Sequence, residues 1–260
     1  LAQPTYNVEA IILKKTKLGE SDIIVTMLSK DGSQLRAVAK GARKPGGAFA
    51  GKLELYNSVD LLCSRGRSLD IIKEARLNVS HINFSNDIEK SACASCVAEL
   101  AEHLTQPELK HPRLYDLLMA TFDIMSECND AQLLYICAAS LLKLFSFAGL
   151  MPQLDSCAIC DISLEKNGGK EVYFSLSDGG GLCATCANLQ NAYPVNGEVI
   201  ALAASLLKAR YKNIADTPAD KAFAISVLEL CRDWNKFHVG TRLKSLDFLL
   251  DIENTALNLE

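Results

Sequence analysis

The stretch Gln34-Leu35-Arg36-Ala37-Val38-Ala39-Lys40-Gly41-Ala42-Arg43-Lys44 decides how the first third of this chain is read. Leu35, Ala37 and Ala39 alternate with Arg36, Val38 and Lys40. A period of two is the pattern of a half-buried strand, so Arg36 and Lys40 share its outer face. Arg43 and Lys44 follow directly. On the N-terminal side lie two further β-prone runs, Val8 to Leu13 and the set Ile23, Ile24, Val25 and Met27. On the C-terminal side, a fourth strand is predicted from Leu53 to Cys63 and a fifth from Leu69 to about Leu77. Turns are signalled at Leu18-Gly19-Glu20, Asp31-Gly32 and Arg65-Gly66-Arg67. Five short strands with a long third connection predict a small closed barrel such as an OB-fold over residues 1–79.

From about Ile88 the period changes. Cys93, Cys96, Val97, Leu100 and Leu104 fall at helical spacing, as do Leu114, Leu117, Leu118, Phe122 and Met125. A third stripe runs through Leu133, Cys137, Leu141, Leu144, Phe145 and Ala148. Later come Val199–Leu207, then Phe223, Val227, Cys231, Trp234 and His238. These are predicted amphipathic helices. Pro107 and Pro112 bracket one connection, Pro152 ends the third helix, and Pro218 sits near the start of a later one. The fold class is therefore α+β and multidomain, with a helical domain over residues 80–260. A cysteine-rich module at about 154–190 interrupts the helical series.

Of 260 residues, 49% are hydrophobic, enough for a substantial core. No apolar run reaches the ~18 residues that span a bilayer. No positively charged then apolar leader is visible, so a cytoplasmic protein without membrane partners is expected. The net charge of −4 hides an asymmetry. Residues 1–78 carry 13 Lys/Arg against 8 Asp/Glu, whereas residues 79–260 carry 14 against 23. A basic barrel on an acidic body points to a polyanionic partner for the barrel. Scatter of surface charge is the bland alternative.

Four of the ten cysteines form two close pairs, Cys157-Ala-Ile-Cys160 and Cys183-Ala-Thr-Cys186, with 22 residues between them. Each CxxC turn aims two thiolates at one point, and two turns complete a tetrahedron for zinc. Four thiolates leave no open position for water or substrate, so the zinc is expected to be structural. Reduced core cysteines or a disulfide are the competing reading. Cys93 and Cys96 form a third CxxC, but on a helical apolar stripe they read as core.

Gly46-Gly47-Ala48-Phe49-Ala50-Gly51-Lys52 comes close to a phosphate-binding P-loop. It fails at Leu53, where Ser or Thr is needed, and Leu53-Glu54-Leu55-Tyr56 reads as strand rather than helix. Nucleotide hydrolysis is therefore not expected. The same segment reads better as a flexible loop flanked by Lys40, Arg43, Lys44 and Lys52 that closes over a nucleic-acid backbone. Lys14, Lys15, Lys17, Arg36, Arg65, Arg67 and Lys73 extend the basic set, with Phe49 and Tyr56 among them as candidate stacking platforms. For Tyr56, barrel core is the equal alternative. No HExxH, HxE or GxSxG motif is present, and His238 beside Trp234 reads as a packing histidine.

Leu18-Gly19-Glu20-Ser21-Asp22-Ile23-Ile24-Val25-Thr26 resembles the opening motif of the RecO family of bacterial DNA-repair mediators, and Ala37 to Lys44 resembles its next block. Leu53-Glu54-Leu55 and Arg65-Gly66-Arg67-Ser68-Leu69-Asp70 follow in order. Leu144 to Pro152 then leads into the CxxC pair as in zinc-bearing members, and Gly240-Thr241-Arg242-Leu243-Lys244-Ser245 resembles the C-terminal block. The resemblance implies an N-terminal OB-fold, a helical domain and a zinc module, with no catalytic residues, in a bacterial cytoplasmic, nucleoid-associated protein. It implies binding of single- and double-stranded DNA, annealing of complementary strands, contact with single-strand-binding protein and RecR, and loading of a RecA-type recombinase. The family's basic barrel positions fall on Lys40, Arg43, Lys44, Arg65 and Arg67. Few basic residues occur late in the helical part, where Arg242 and Lys244 are the candidates for partner contact. A non-enzymatic interaction adaptor and a zinc enzyme are the rival readings.

Overall fold

The structure is a computed structural model that describes residues 4–164, 172–188, 191–215 and 219–257. Pro218 and part of the cysteine module lie outside the described residues. The chain divides into two compact units, Leu1–Ser126 and Glu127–Glu260.

In the first unit, strands β1 (Thr5–Leu18), β2 (Asp22–Ser29), β3 (Gln34–Ala39), β4 (Ser58–Ser64) and β5 (Asp70–Val79) form a closed barrel in the order β1-β2-β3-β5-β4. Closure depends on the length of β1. Its first half, Thr5 to Ile11, pairs antiparallel with β4, and Ala10 to Leu18 pairs antiparallel with β2. A register shift between Ile12 and Lys14 bends the strand from one partner to the other. The remaining seam is the parallel pairing of β3 with β5, from Ala37↔Asp70 to Ala39↔Ile72. The alternation in β3 is realised: Ala37 and Ala39 are fully buried, and Arg36 and Lys40 are exposed.

The fourth strand starts later than its sequence predicts, at Ser58 rather than Leu53. Residues 41–57 run instead as successive turns, with backbone N–H groups of Lys44, Gly47, Ala50 and Lys52 donating to carbonyls three residues back. Phe49 and Leu53 turn inward and join the barrel core beside Ile23 and Val25. The Gly-rich segment thus plugs the barrel end rather than forming a flexible flap. Leu53 is apolar because it fills that end, not because it alternates in a strand.

Helices α1 (Ile88–Leu104) and α2 (Pro112–Glu127) group with the barrel, and Asp87 caps α1 through the Lys90 N–H. The Gln34 side-chain amide donates to the Glu102 carbonyl at 2.9 Å, and the Tyr115 hydroxyl meets that of Ser58 at 3.0 Å. The compact unit therefore runs past residue 79, the predicted end of the barrel, to Ser126. Cys93 and Cys96 are fully buried on α1.

The second unit is built on α3 (Asp130–Phe147). Its sequence reads as a one-sided stripe, but from Leu133 to Leu142 every residue is buried. A helix that is apolar all round belongs at a centre, and α5 (Gly197–Lys208), α6 (Tyr211–Ala215) and α7 (Lys221–His238) pack around it. Ala148, counted in the stripe, is exposed. Gly149, at φ 74°, stops the helix three residues before Pro152 does. Helix α8 (Lys244–Leu257) packs on α7. Among the described residues no helix is long and apolar enough to cross a membrane.

Candidate metal centre and basic barrel end

The cysteine module is a three-stranded sheet, order β7-β6-β8, of β6 (Val172–Ser175), β7 (Gly180–Leu182) and β8 (Tyr193–Val195). The short helix α4 (Ala184–Ala187) begins directly after Cys183. The first knuckle is a turn closed by Cys157 N–H to Ile162 O at 2.8 Å and Asp161 N–H to Cys157 O at 2.9 Å. Backbone bonds then fasten it to the second: Ala158 N–H donates to Gly181 O at 2.9 Å, and Gly181 N–H to Gln153 O at 2.8 Å. Gly180 is indispensable here. At φ 151°, a Cβ on it would lie 2.1 Å from the Gln153 carbonyl oxygen. Gly180 is thus what lets the two backbones touch.

The result brings Cys157, Cys160, Cys183 and Cys186 together, with all four sulfurs within 4.8 Å of one another. Cys160 and Cys183 are 3.7 Å apart. That is far beyond a disulfide bond, and it matches the ~3.8 Å edge of a tetrahedron with sulfur about 2.3 Å from a central zinc. Burial pushes the Cys157 thiol up, but backbone N–H groups of Cys183, Cys160 and Ile159 outweigh it and bring the thiol to about 6. The Ile162 backbone favours ionised Cys160, yet its contact with Cys157 and partial desolvation of its exposed thiol leave it above the ordinary thiol range. Cys186 is pushed up to about 12, first by its contact with Cys160. One thiolate thus forms easily and opposes the rest. A dication at the centre removes that opposition, so the donor set fits a metal ion.

At the barrel, the motif segments 18–22 and 37–44 prove to be one structural unit. The Asp22 carboxylate accepts the Gly41 N–H at 2.8 Å and the Ser21 hydroxyl at 2.9 Å. These bonds, the first above all, hold its carboxyl below the usual range, helped by nearby Lys40 and Lys44. The Arg43 N–H donates to Ser21 O at 2.9 Å. Its guanidinium donates through Nη1 to Gly19 O at 3.1 Å and Glu20 O at 2.9 Å. Arg43 is therefore partly a clasp, which its sequence does not reveal. Asp22 was missed as well, although a Ser-Asp pair after a Gly turn often caps backbone N–H groups.

The remaining basic candidates separate by partner. Lys14 pairs with Thr26 of β2, which pairs in turn with Arg36, so Lys14 and Arg36 flank one outer row of the barrel. Lys14 is ion-paired with Glu102 at 2.9 Å, and Lys15 with Glu54. Arg65 stands 4.4 Å over the Tyr6 ring and 3.4 Å from Asp70. It lines a different cleft, with Lys30, Asp31 and Glu108, and does not join Lys40 and Arg43. Lys17, Arg36, Lys40, Lys44, Lys52 and Arg67 form no ion pair among the described residues. All but Lys52 are exposed. Arg242 is paired with Asp247 of α8, and Lys244 opens that helix.

The aromatic platforms are not on the surface. Tyr56 is 4% exposed, packs on Phe84 and Phe122 with ring centres at 5.5 and 5.1 Å, and bonds Ser95 through its hydroxyl at 2.8 Å. Phe49 is 7% exposed. Both are held in place by the turns of residues 41–57. His238 packs on Trp234 at 3.9 Å, as a packing histidine does.

Comparison with known proteins matches residues 3–80 to the family model described as Recombination protein O N terminal, and residues 85–247 to Recombination protein O C terminal. A protein named DNA repair protein RecO from Thermoanaerobacter sp. (strain X514) is 30% identical over 95% of this chain and 97% of its own length. Proteins of the same name from Dehalococcoides mccartyi (strain ATCC BAA-2266) and Bifidobacterium adolescentis are 31% and 26% identical, over 74% and 95% of this chain and 74% and 99% of their own.

Proposed function

Because the chain belongs to the recombination protein O family of DNA-repair proteins, we propose that it is a non-catalytic recombination mediator that holds DNA on the basic end of its barrel. The observation that carries this is the clasp between residues 18–22 and 40–44. It fixes two loops rigidly while leaving Lys40 and Lys44 exposed, with Lys17 and Arg36 on the adjoining strands.

The mechanism is backbone neutralisation. Exposed ammonium and guanidinium groups displace counterions from phosphates, and this needs no base readout, so single and double strands both bind. Held by its phosphates, a single strand keeps its bases available to a complementary strand, and annealing follows. Lys17, Arg36, Lys40, Arg43 and Lys44 carry the contact, with Lys14 and Lys52 in lesser roles because they are ion-paired or partly covered; Arg65 and Arg67 stand on the β4–β5 connection, by the other cleft. With RecR, the mediator delivers a RecA-type recombinase to strands coated by single-strand-binding protein. Arg242 and Lys244 are the proposed partner contacts. Zinc is the proposed ion of the four cysteines; it supplies a closed structural bond and no reactive position.

The direct test is annealing of complementary strands coated with single-strand-binding protein. The chain accelerates it, and acceleration fades as salt rises. A rate equal to that without the chain, at low salt, contradicts the reading.

A further inference from the structure

A cleft of about 480 Å³ opens where the barrel end meets its plug, and the backbone-binding account gives it no role. Its floor is apolar: Ile23, Ala42, Phe49 and Leu53. Three cations stand at its walls, Lys15, Lys17 and Arg43, together with the single carboxylate of Glu54. The volume lies within the ~300–1,000 Å³ of small-ligand clefts, and an apolar floor with a few convergent polar groups is their usual composition.

The polar groups are unequally engaged. Lys15 is held by Glu54 through Oε2. Lys17 forms no ion pair among the described residues. Arg43 uses Nη1 alone for the carbonyls of Gly19 and Glu20. Two cationic groups are thus left for phosphates, and Glu54 Oε1 is left as an acceptor on the cleft wall.

We propose that this cleft receives one unstacked base of a bound single strand, with Lys17 and Arg43 on the flanking phosphates and Glu54 accepting from an exocyclic amine. Cytosine and adenine carry that amine and thymine does not, so the first two are favoured. Burial of the base against the apolar floor supplies the rest of the gain and is sequence-tolerant. Charge complementarity argues for this occupant: a purely apolar ligand would leave Lys17 and Arg43 unused, and a free phosphate would leave the floor unused. The proposal rests on the mediator reading and adds a base preference to it.

Fluorescence anisotropy with oligo(dC), oligo(dT) and an abasic strand of the same length tests it. The intact chain binds oligo(dC) about tenfold more tightly than the abasic strand, and oligo(dT) in between. Glu54→Ala frees Lys15 and raises affinity for every strand, but brings the dC/dT ratio to one. Ala50→Leu, at an exposed position on the cleft wall, lowers oligo(dC) binding towards the abasic level; thermal melting confirms that both variants fold. Equal, salt-dependent binding of all three strands by the intact chain overturns the cleft proposal and leaves the mediator reading standing. A dC preference that survives Glu54→Ala also overturns it. Failure to bind any strand at low salt sinks both.

Discussion

The barrel end and the cysteine module are both made by pinning one loop to another through backbone hydrogen bonds, but they use the pinning in opposite directions. At the barrel end, Gly41 N–H to Asp22 and Arg43 N–H to Ser21 O lock the loops, and the side chains of Lys40 and Lys44 diverge into solvent. In the module, Ala158 N–H to Gly181 O locks the knuckles, and four thiols converge within 4.8 Å. Convergent thiolates repel one another and need a cation at their centre. Divergent cations also repel one another, yet solvent screens them, and their partner must be an extended anion. The convergent arrangement therefore suits stability, and the divergent one suits the proposed contact with DNA.

Removing the metal is the harshest way to break that comparison. Zinc at a four-thiolate site contributes roughly 10 kcal/mol or more to local folding. Chelation, or Cys160→Ser, is expected to open the module to proteolysis and lower the melting temperature, with atomic emission reading the loss of the proposed zinc. An unchanged melting curve after complete metal loss would mean that the thiols need no ion.

A milder break falls on the barrel. Lys40→Glu with Lys44→Glu reverses two exposed charges and touches no buried contact. Single-strand affinity near physiological salt is expected to fall more than tenfold, with the melting temperature only slightly lowered, because the Lys40 and Lys44 charges also favour the Asp22 carboxylate. These positions isolate binding better than Arg43, whose replacement also loosens the clasp on Gly19 and Glu20.

The smallest effect sharpens the distinction between paired and unpaired cations. Lys17→Ala is expected to reduce the salt dependence of binding by about 0.7 in the logarithmic slope, the increment of one phosphate contact on a single strand. Lys14→Ala should change it by less, because Glu102 already neutralises Lys14 at 2.9 Å. Equal changes would show that the ion pair does not matter in solution.

The two regions were also unequally legible in sequence. The CxxC knuckles declare themselves because four ligands at fixed short spacing leave few other uses. Strand β3 declares itself because Ala37 and Ala39 bury while Arg36 and Lys40 do not. Residues 49–56 misled: Phe49 and Leu53 are apolar to plug a barrel, and no local period separates a plug from a strand. Tyr56 and Phe49 illustrate the same limit, since an aromatic between lysines serves equally as platform or core until its neighbours are known. Arg43 and Arg65 were grouped with Lys40 by charge and by the family resemblance, and Lys14 by charge alone. Their carbonyl, aromatic and carboxylate partners come from distant parts of the chain, and only the fold brings them near.

The central claim is that exposed cations on the barrel bind DNA through its phosphates. Its most direct test is the affinity of the intact chain for an unstructured oligonucleotide across a salt series. Lys17, Arg36, Lys40, Arg43 and Lys44, each at a phosphate, predict a slope of about −3.5 in log K against log salt, from roughly −0.7 per contact. A slope near zero, or no binding at the lowest salt, would contradict the account.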